Sequence, residues 1–106
     1  MKTLIFHIGP DPYGLRLDAI VRVLPLLELK QLPLAPAAVA GLMDYQGAPV
    51  PVIDLSVLAG LAPCQEYFDT RILLVDYTAP DGAHHRLGLL AEHVRGIREL
   101  APEALR

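Results

Sequence analysis

Few residues in this chain of 106 have the chemistry of a nucleophile. The one cysteine, Cys64, follows Pro63, and the one serine, Ser56, lacks the flanking glycines of a nucleophile elbow. A lone cysteine without a neighbouring signature is usually inert. We therefore expect no catalytic residue and no enzyme activity.

The histidines and glycines do not predict a metal or cofactor site. His84 and His85 are adjacent, so in a strand their side chains point to opposite faces and do not easily reach one ion. No two glycines are separated by one residue, which excludes a glycine-rich phosphate loop of the dinucleotide type. Asp54 precedes a short apolar turn and is better explained as a helix cap than as an acid or base. We expect neither a metal nor a cofactor.

Composition argues against nucleic acid and membranes as direct partners. Nine Lys and Arg against 12 Asp and Glu give a formal charge of −3, and Arg86, Arg95 and Arg98 lack interleaved aromatic residues. The longest charge-free run, residues 31–43, contains two prolines and falls short of the roughly 20 apolar residues of a membrane span. One cysteine fits a reducing compartment, so we expect a cytoplasmic protein. The 53% of hydrophobic residues predict either an exposed apolar patch for a partner or a very dense core.

The elements that would position these residues are short strands, because ten prolines and eight glycines divide the chain into short apolar runs. The run 72–75 is apolar at every position, which predicts a central strand buried on both faces. Pro49 and Pro51 place their strand at an edge or start it after Pro51, and Gly96 indicates either a bulge or a point of close approach. The predicted strands are 3–8, 13–18, 20–23, 42–45, 50–53, 72–75 and 87–91, with short helices at 36–40 and 55–59.

The order of these segments carries a family resemblance. The most specific stretch is residues 41–55, which ends in Pro51-Val52-Ile53-Asp54-Leu55, and a second stretch is residues 86–97. Phe6, Tyr13-Gly14 and the segments 20–23 and 32–36 extend the match over essentially the whole chain. The sequence thereby resembles the CheW family, the adaptor domains of bacterial chemosensory arrays.

The resemblance implies an all-β fold of two SH3-like five-stranded barrels with short helices, in one domain spanning residues 1–106. The first barrel would comprise mainly residues 13–60, and the second mainly residues 68–99 with strand 2–9. Relatives continue beyond Ile97, so the chain looks shortened at its C-terminus and its second barrel incomplete. Since unpaired edges invite pairing, we expect a homodimer formed by strand exchange or edge pairing.

The resemblance also implies a non-catalytic scaffold that couples the cytoplasmic tip of a chemoreceptor to the regulatory domain of a CheA-type histidine kinase. Gly41 would leave room for the close approach of a receptor helix. Structural roles are expected for Gly47, Asp54 and Gly60. The expected receptor groove consists of Ile20, Gly41, Val94 and Ile97, and the expected kinase-binding edge consists of Val21, Arg22, Gln46 and Val50.

Two departures from the family pattern indicate a divergent member. Asp44-Tyr45-Gln46-Gly47 stands where relatives have Asn-Leu-Arg-Gly, and Arg22 stands where they have a glutamate. These changes suggest a dedicated, non-motility signalling system. The alternative function is a small SH3- or OB-like barrel that binds a peptide or nucleic acid outside chemosensory signalling. A hydrolase would require Cys64 or His85 to be essential for turnover.

Overall fold

Residues 1–99 form strands joined by turns and by the longer connections 26–38 and 59–70, and a computed structural model describes this part of the chain. The predicted all-β class is confirmed. Neither helical segment in this range has the length and apolar character needed to cross a bilayer. Residues 100–106, at the end expected to be shortened, lie outside the described residues. The elements are β1 Lys2–Ile8, β2 Asp11–Arg16, a 3-10 turn Leu17–Ala19, β3 Ile20–Pro25, β4 Val39–Tyr45, β5 Ala48–Asp54, α1 Leu55–Leu58, β6 Arg71–Thr78 and β7 His84–Glu99.

The long strand β7 connects the two parts of the sheet. Its first residues pair antiparallel with β6 and, over a short stretch that begins at Gly88, in parallel with β5. Its last residues pair antiparallel with β1, as far as the partners Lys2 and Glu99. Because one continuous strand serves both parts, the position of one part fixes that of the other.

The first part has the strand order β3-β6-β7-β5-β4, and its two ends meet. Lys30, a few residues beyond β3, exchanges two backbone hydrogen bonds of 2.8 Å with Leu42 of β4. The chain after β3 thus covers the outer edge of β4 and closes the order in the manner of a barrel. Its interior, here called the first core, consists of Met43, Val50, Val52, Ile72, Leu74 and Leu90.

The second part is the three-stranded arrangement β2-β1-β7. Leu73 contributes to its interior from β6, on the opposite face from Ile72 and Leu74, because side chains alternate along a strand. Residues 72–75 of this strand are therefore buried on both faces, as their uniformly apolar sequence predicts. The second core consists of Leu4, Phe6, Leu73 and Ala91, with Ile8, Leu15, Ile20, Leu55, Leu89 and Val94 packed against it.

The division into one barrel of residues 13–60 and another of residues 68–99 with strand 2–9 stays a prediction. Strand pairing joins residues from these two ranges. β3 lies in the first of these ranges, yet its partner along its whole length is β6, from the second range. The sheet is thus assembled from segments distant in sequence.

The prediction of a helix at residues 36–40 is wrong. The backbone N–H of Val39 donates to the carbonyl of Pro36 in a turn, and β4 begins at Val39. The carbonyl of Ala38 accepts from the backbone N–H of Asp54 at 2.7 Å. This carbonyl is therefore bonded to β5 and not to a backbone N–H within a helix. Pairing across the sheet overrides the local signal of proline followed by alanines.

The strand with two prolines also differs from expectation. β5 includes Pro49 and Pro51, and it lies between β4 and β7 rather than at an edge. Its pairing with β7 covers only Val52 to Asp54. Because that ladder begins after Pro51, the missing proline N–H groups cost no hydrogen bond on that side.

Candidate functional site

Asp54 is a buried carboxylate that organises the connection after β5. Its Oδ1 accepts from the backbone N–H groups of Ser56 (2.9 Å) and Val57 (3.2 Å), which caps α1. Its Oδ2 accepts from the backbone N–H of Cys64 at 3.0 Å. At Gly60, φ is +84°, and its N–H donates to the Val57 carbonyl where the helix ends. Asp54 is therefore hydrogen-bonded both to the start of α1 and to the loop that follows α1.

Cys64, Ser56 and Asp54 form a compact trio that resembles a nucleophile with its base. The Cys64 thiol donates to Asp54 Oδ1 at 3.1 Å and lies 3.4 Å from Ser56 Oγ. Burial raises the pKa of the thiol to about 11, and the adjacent carboxylate adds to the rise. The sulfur is therefore a neutral hydrogen-bond donor at physiological pH and a poor nucleophile. No group of three metal-ligating side chains occurs within residues 1–99.

The four residues of the expected kinase-binding edge differ in accessibility. Val21 and Arg22 are exposed on β3, where the register with β6 shifts. Gln46 is exposed in the turn between β4 and β5, at φ +52° beside Gly47 at φ +86°, a two-residue turn of the primed kind. Val50 is only 4% exposed and belongs to the first core. Three of the four thus offer surface, whereas the side chain of Val50 is buried and not accessible to a partner.

The exposed members of that edge lie at the same end of the first part. Ile20 at the start of β3 pairs with Val75, and the next residue, Asp76, accepts from Arg86 Nε at 3.1 Å. The Arg86 guanidinium lies over the ring of Tyr45, 5.7 Å from its centroid. The β4–β5 turn follows Tyr45 directly. A chain of contacts therefore joins the start of β3 to this turn.

The structure brings two of the four expected receptor-groove residues to the second core and places a third, Ile97, beside it on the strand. Ile20 and Val94 both pack against it. Ile97 pairs with Leu4 of β1 and is 55% exposed. Gly41 lies elsewhere, on β4 in the first part.

Gly41 is buried against the chain's own backbone. A Cβ atom at this position would lie 2.7 Å from the carbonyl oxygen of Lys30 and 3.0 Å from the Cβ of Leu29. The absence of a side chain is therefore required by the Lys30–Leu42 bridge that closes the first part.

A cluster around Asp69 was not predicted. Asp69 accepts from Arg95 Nε at 2.9 Å and lies 3.1 Å from His93 Nδ1, while Tyr67 stacks on the His93 ring at 4.8 Å. The Arg95 guanidinium, with a smaller effect from His93, holds the pKa of Asp69 below its usual range. The backbone carbonyl of Asp69 also accepts from the N–H of Val94. Asp69 is 24 and 26 residues from its side-chain partners, so no sequence spacing indicates this cluster.

Comparisons with known proteins agree with this architecture. The CheW-like domain model matches residues 2–106. The fold is similar to the crystal structure of the scaffolding protein TtCheW from Thermoanaerobacter tengcongensis, with a TM-score of 0.82 and 22% sequence identity. The match covers 96% of this chain and 63% of that one, so this chain spans less than two thirds of that structure. No curated protein matches the sequence.

Proposed function

This chain belongs to the CheW-like domain family of chemotaxis scaffold adaptors, and we propose that it couples a chemoreceptor's cytoplasmic tip to the regulatory domain of a CheA-type histidine kinase. It would do so by presenting two contact surfaces, and it would change no bonds. The observation that carries the proposal is family membership over residues 2–106, in a chain that exposes apolar side chains on its strands.

The accessible strand β3 supports the kinase-binding edge. Within residues 1–99 it pairs with β6 alone, and Val21 and Val23 are each 41% exposed. An exposed strand with apolar side chains is a surface on which another β-domain packs with little rearrangement. Arg22 and Gln46 would supply the polar rim of this contact.

The end of β7 supports the receptor-binding surface. Ile97 is 55% exposed, and Val94 lies partly exposed on the same strand. The apolar face of an amphipathic receptor helix would bury both side chains. Gly41 would act through the fold, since its neighbours are Leu29 and Lys30.

The test is whether a substitution on one surface weakens the binding of one partner and leaves the binding of the other unchanged. Binding of a purified receptor tip and of a kinase regulatory domain from the source organism is measured by calorimetry. Ile97→Glu is expected to weaken tip binding at least about tenfold, because burying the exposed half of an isoleucine contributes roughly 1–1.5 kcal/mol and a glutamate must be desolvated. Val21→Glu is expected to weaken kinase binding alone.

Leu34→Glu is the matched control, since Leu34 is fully exposed outside both surfaces. Loss of both interactions from either single variant, with the fold intact by circular dichroism, would contradict two separate surfaces. A steep loss of affinity with salt for duplex DNA, together with no binding to either protein, would favour the nucleic-acid alternative.

The homodimer and the cytoplasmic location stay predictions. Within residues 1–99, β2 and the last residues of β7 each pair on one side, with β1. Edge pairing through either strand would double the mass in light scattering, and a monomer at high concentration would contradict it.

A further inference from the structure

A cavity of about 340 Å³ opens where the two long connections of the chain meet. The connection after β3 lines one side with residues 26–29 and Gln31, and the connection after α1 lines the other side with residues 64–66 and Thr70. The cavity lies at the end of the first part where β3 stops, whereas the proposed kinase-binding edge lies where β3 starts. It shares no residue with either proposed surface.

The apolar part of the lining is continuous with the first core. Leu90 of β7 belongs to that core, and Leu26, Leu29 and Ala40 pack against it. An apolar surface of this kind is complementary to the hydrocarbon stem of a long side chain whose polar end remains near solvent.

The wall contributed by the connection after α1 is held in place by hydrogen bonds. The backbone N–H and the thiol of Cys64 both donate to Asp54, at 3.0 and 3.1 Å. The backbone N–H of Gln65 donates to Glu92 Oε2 at 2.6 Å, and the Gln65 carbonyl accepts from Thr70 Oγ1 at 2.7 Å. Because these bonds fix the wall, a ligand binds with little loss of conformational entropy in the protein.

The charged residues that line the cavity are both acidic. Glu28 comes from the connection after β3 and Glu66 from the connection after α1, and both are exposed. Neither forms an ion pair or a side-chain hydrogen bond within residues 1–99. Asp54 and Glu92 are buried carboxylates behind the wall, so they add to the negative charge at this place.

The basic residues of the neighbouring segments do not neutralise the two glutamates. Lys30 lines a different cavity, beside β4. Arg71 is in register with Ala91 of the second core, on the sheet face turned away from the first core, and its guanidinium donates to two backbone carbonyls. Arg95 is paired with Asp69. The cavity is therefore complementary to a cation.

The surroundings of the glutamates indicate what carries that cation. Leu27, next to Glu28, is 37% exposed, and Phe68, two residues after Glu66, is 97% exposed. Exposed apolar side chains beside a cavity are typical of a protein contact. An arginine suits this site because its planar guanidinium donates to two carboxylates at once and is more weakly hydrated than an ammonium group.

We propose that this cavity accepts an arginine side chain from an apolar segment of a partner protein, with Glu28 and Glu66 as the acceptors of its guanidinium. The stem of the arginine packs on Leu26 and Leu29, and the apolar neighbours of the arginine cover Leu27. The inference goes beyond the proposed function, because it adds a third contact surface that involves neither the receptor nor the kinase surface.

The test is an NMR titration of the ¹⁵N-labelled protein with the capped peptide Leu-Ala-Arg-Ala-Leu and with the same peptide carrying citrulline, the neutral isostere of arginine. The arginine peptide is expected to shift the backbone amide signals of Ala40, Cys64 and Leu90. At about 50 mM salt the citrulline peptide is expected to bind about fivefold more weakly. Glu28→Gln and Glu66→Gln are each expected to weaken binding of the arginine peptide about two- to threefold. Both glutamates are exposed, so these substitutions leave the cores untouched.

Asp11→Asn is the matched control, since it removes one exposed carboxylate from β2, outside the cavity, and changes the net charge by the same amount. It is expected to bind the arginine peptide like wild type. Equal affinities for the arginine and citrulline peptides would refute the charge contact. An equal loss from Asp11→Asn would show a general attraction to an acidic protein, and unchanged signals of Ala40, Cys64 and Leu90 at about 5 mM peptide would refute the cavity as the site. Because neither receptor nor kinase is present, the outcome is independent of the proposed function.

Discussion

Replacing Gly41 by alanine tests whether this position serves the fold or the partner. The glycine has φ +154°, and an added Cβ would lie 2.7 Å from the backbone oxygen of Lys30. A backbone carbonyl cannot rotate away as a flexible side chain does. The substitution is therefore expected to break the Lys30–Leu42 bridge, whose two hydrogen bonds of 2.8 Å close the first part of the sheet.

The size of the effect follows from those bonds. Each backbone hydrogen bond contributes about 0.5–1.5 kcal/mol net, so losing two costs about 1–3 kcal/mol. That is a large share of the roughly 5–15 kcal/mol that stabilises a domain of this size. Gly96 is a matched control, because its φ of +159° is nearly the same and an added Cβ there meets nothing within 4 Å. Gly96→Ala carries the backbone cost alone, and the difference between the variants isolates the close approach.

The assay is urea unfolding followed by circular dichroism. Gly41→Ala is expected to unfold at a urea concentration roughly 1 M or more below that of Gly96→Ala, with a similar m-value. Unfolding free energies within about 0.5 kcal/mol of each other would refute the close-approach argument. A variant as stable as wild type that no longer binds the receptor tip would instead assign Gly41 to the partner surface.

Two further predictions concern titrating groups. With a pKa of about 11, Cys64 is about 0.1% thiolate at pH 8, whereas an ordinary cysteine is roughly one quarter thiolate. Iodoacetamide should therefore alkylate Cys64 about 100-fold more slowly in the native protein than in urea. Alkylation rates within tenfold of each other would contradict this prediction. The lowered pKa of Asp69 makes a contribution to stability that is present above about pH 4 and lost as pH falls through the lowered pKa. Asp69→Asn should therefore be less stable than wild type at pH 6, and the difference in urea unfolding should shrink as the pH is lowered. A difference that stays the same as the pH falls would show that Asp69 acts without its charge.

Local patterns in the sequence predicted the elements that depend on neighbouring residues. The buried run in β6, the turn at Gln46-Gly47 and the cap at Asp54 each depend on a few consecutive residues, and the structure has each of them. The bulge indicated by Gly96 lies in the three residues before it. The helix expected at residues 36–40 does not form because the Ala38 carbonyl accepts from the backbone N–H of Asp54, a partner that no local pattern reveals.

The strand class, the turns and the family are thus predictable from the sequence, because periodicity, turn chemistry and motif order are local properties of the chain. The contacts between distant residues depend on how the sheet is assembled. The tertiary structure placed Gly41 against Lys30, buried Val50, and gathered Asp69, His93 and Arg95. These juxtapositions depend on sheet register and on one bulge, and a shift of one residue in either would turn the same side chains to another face.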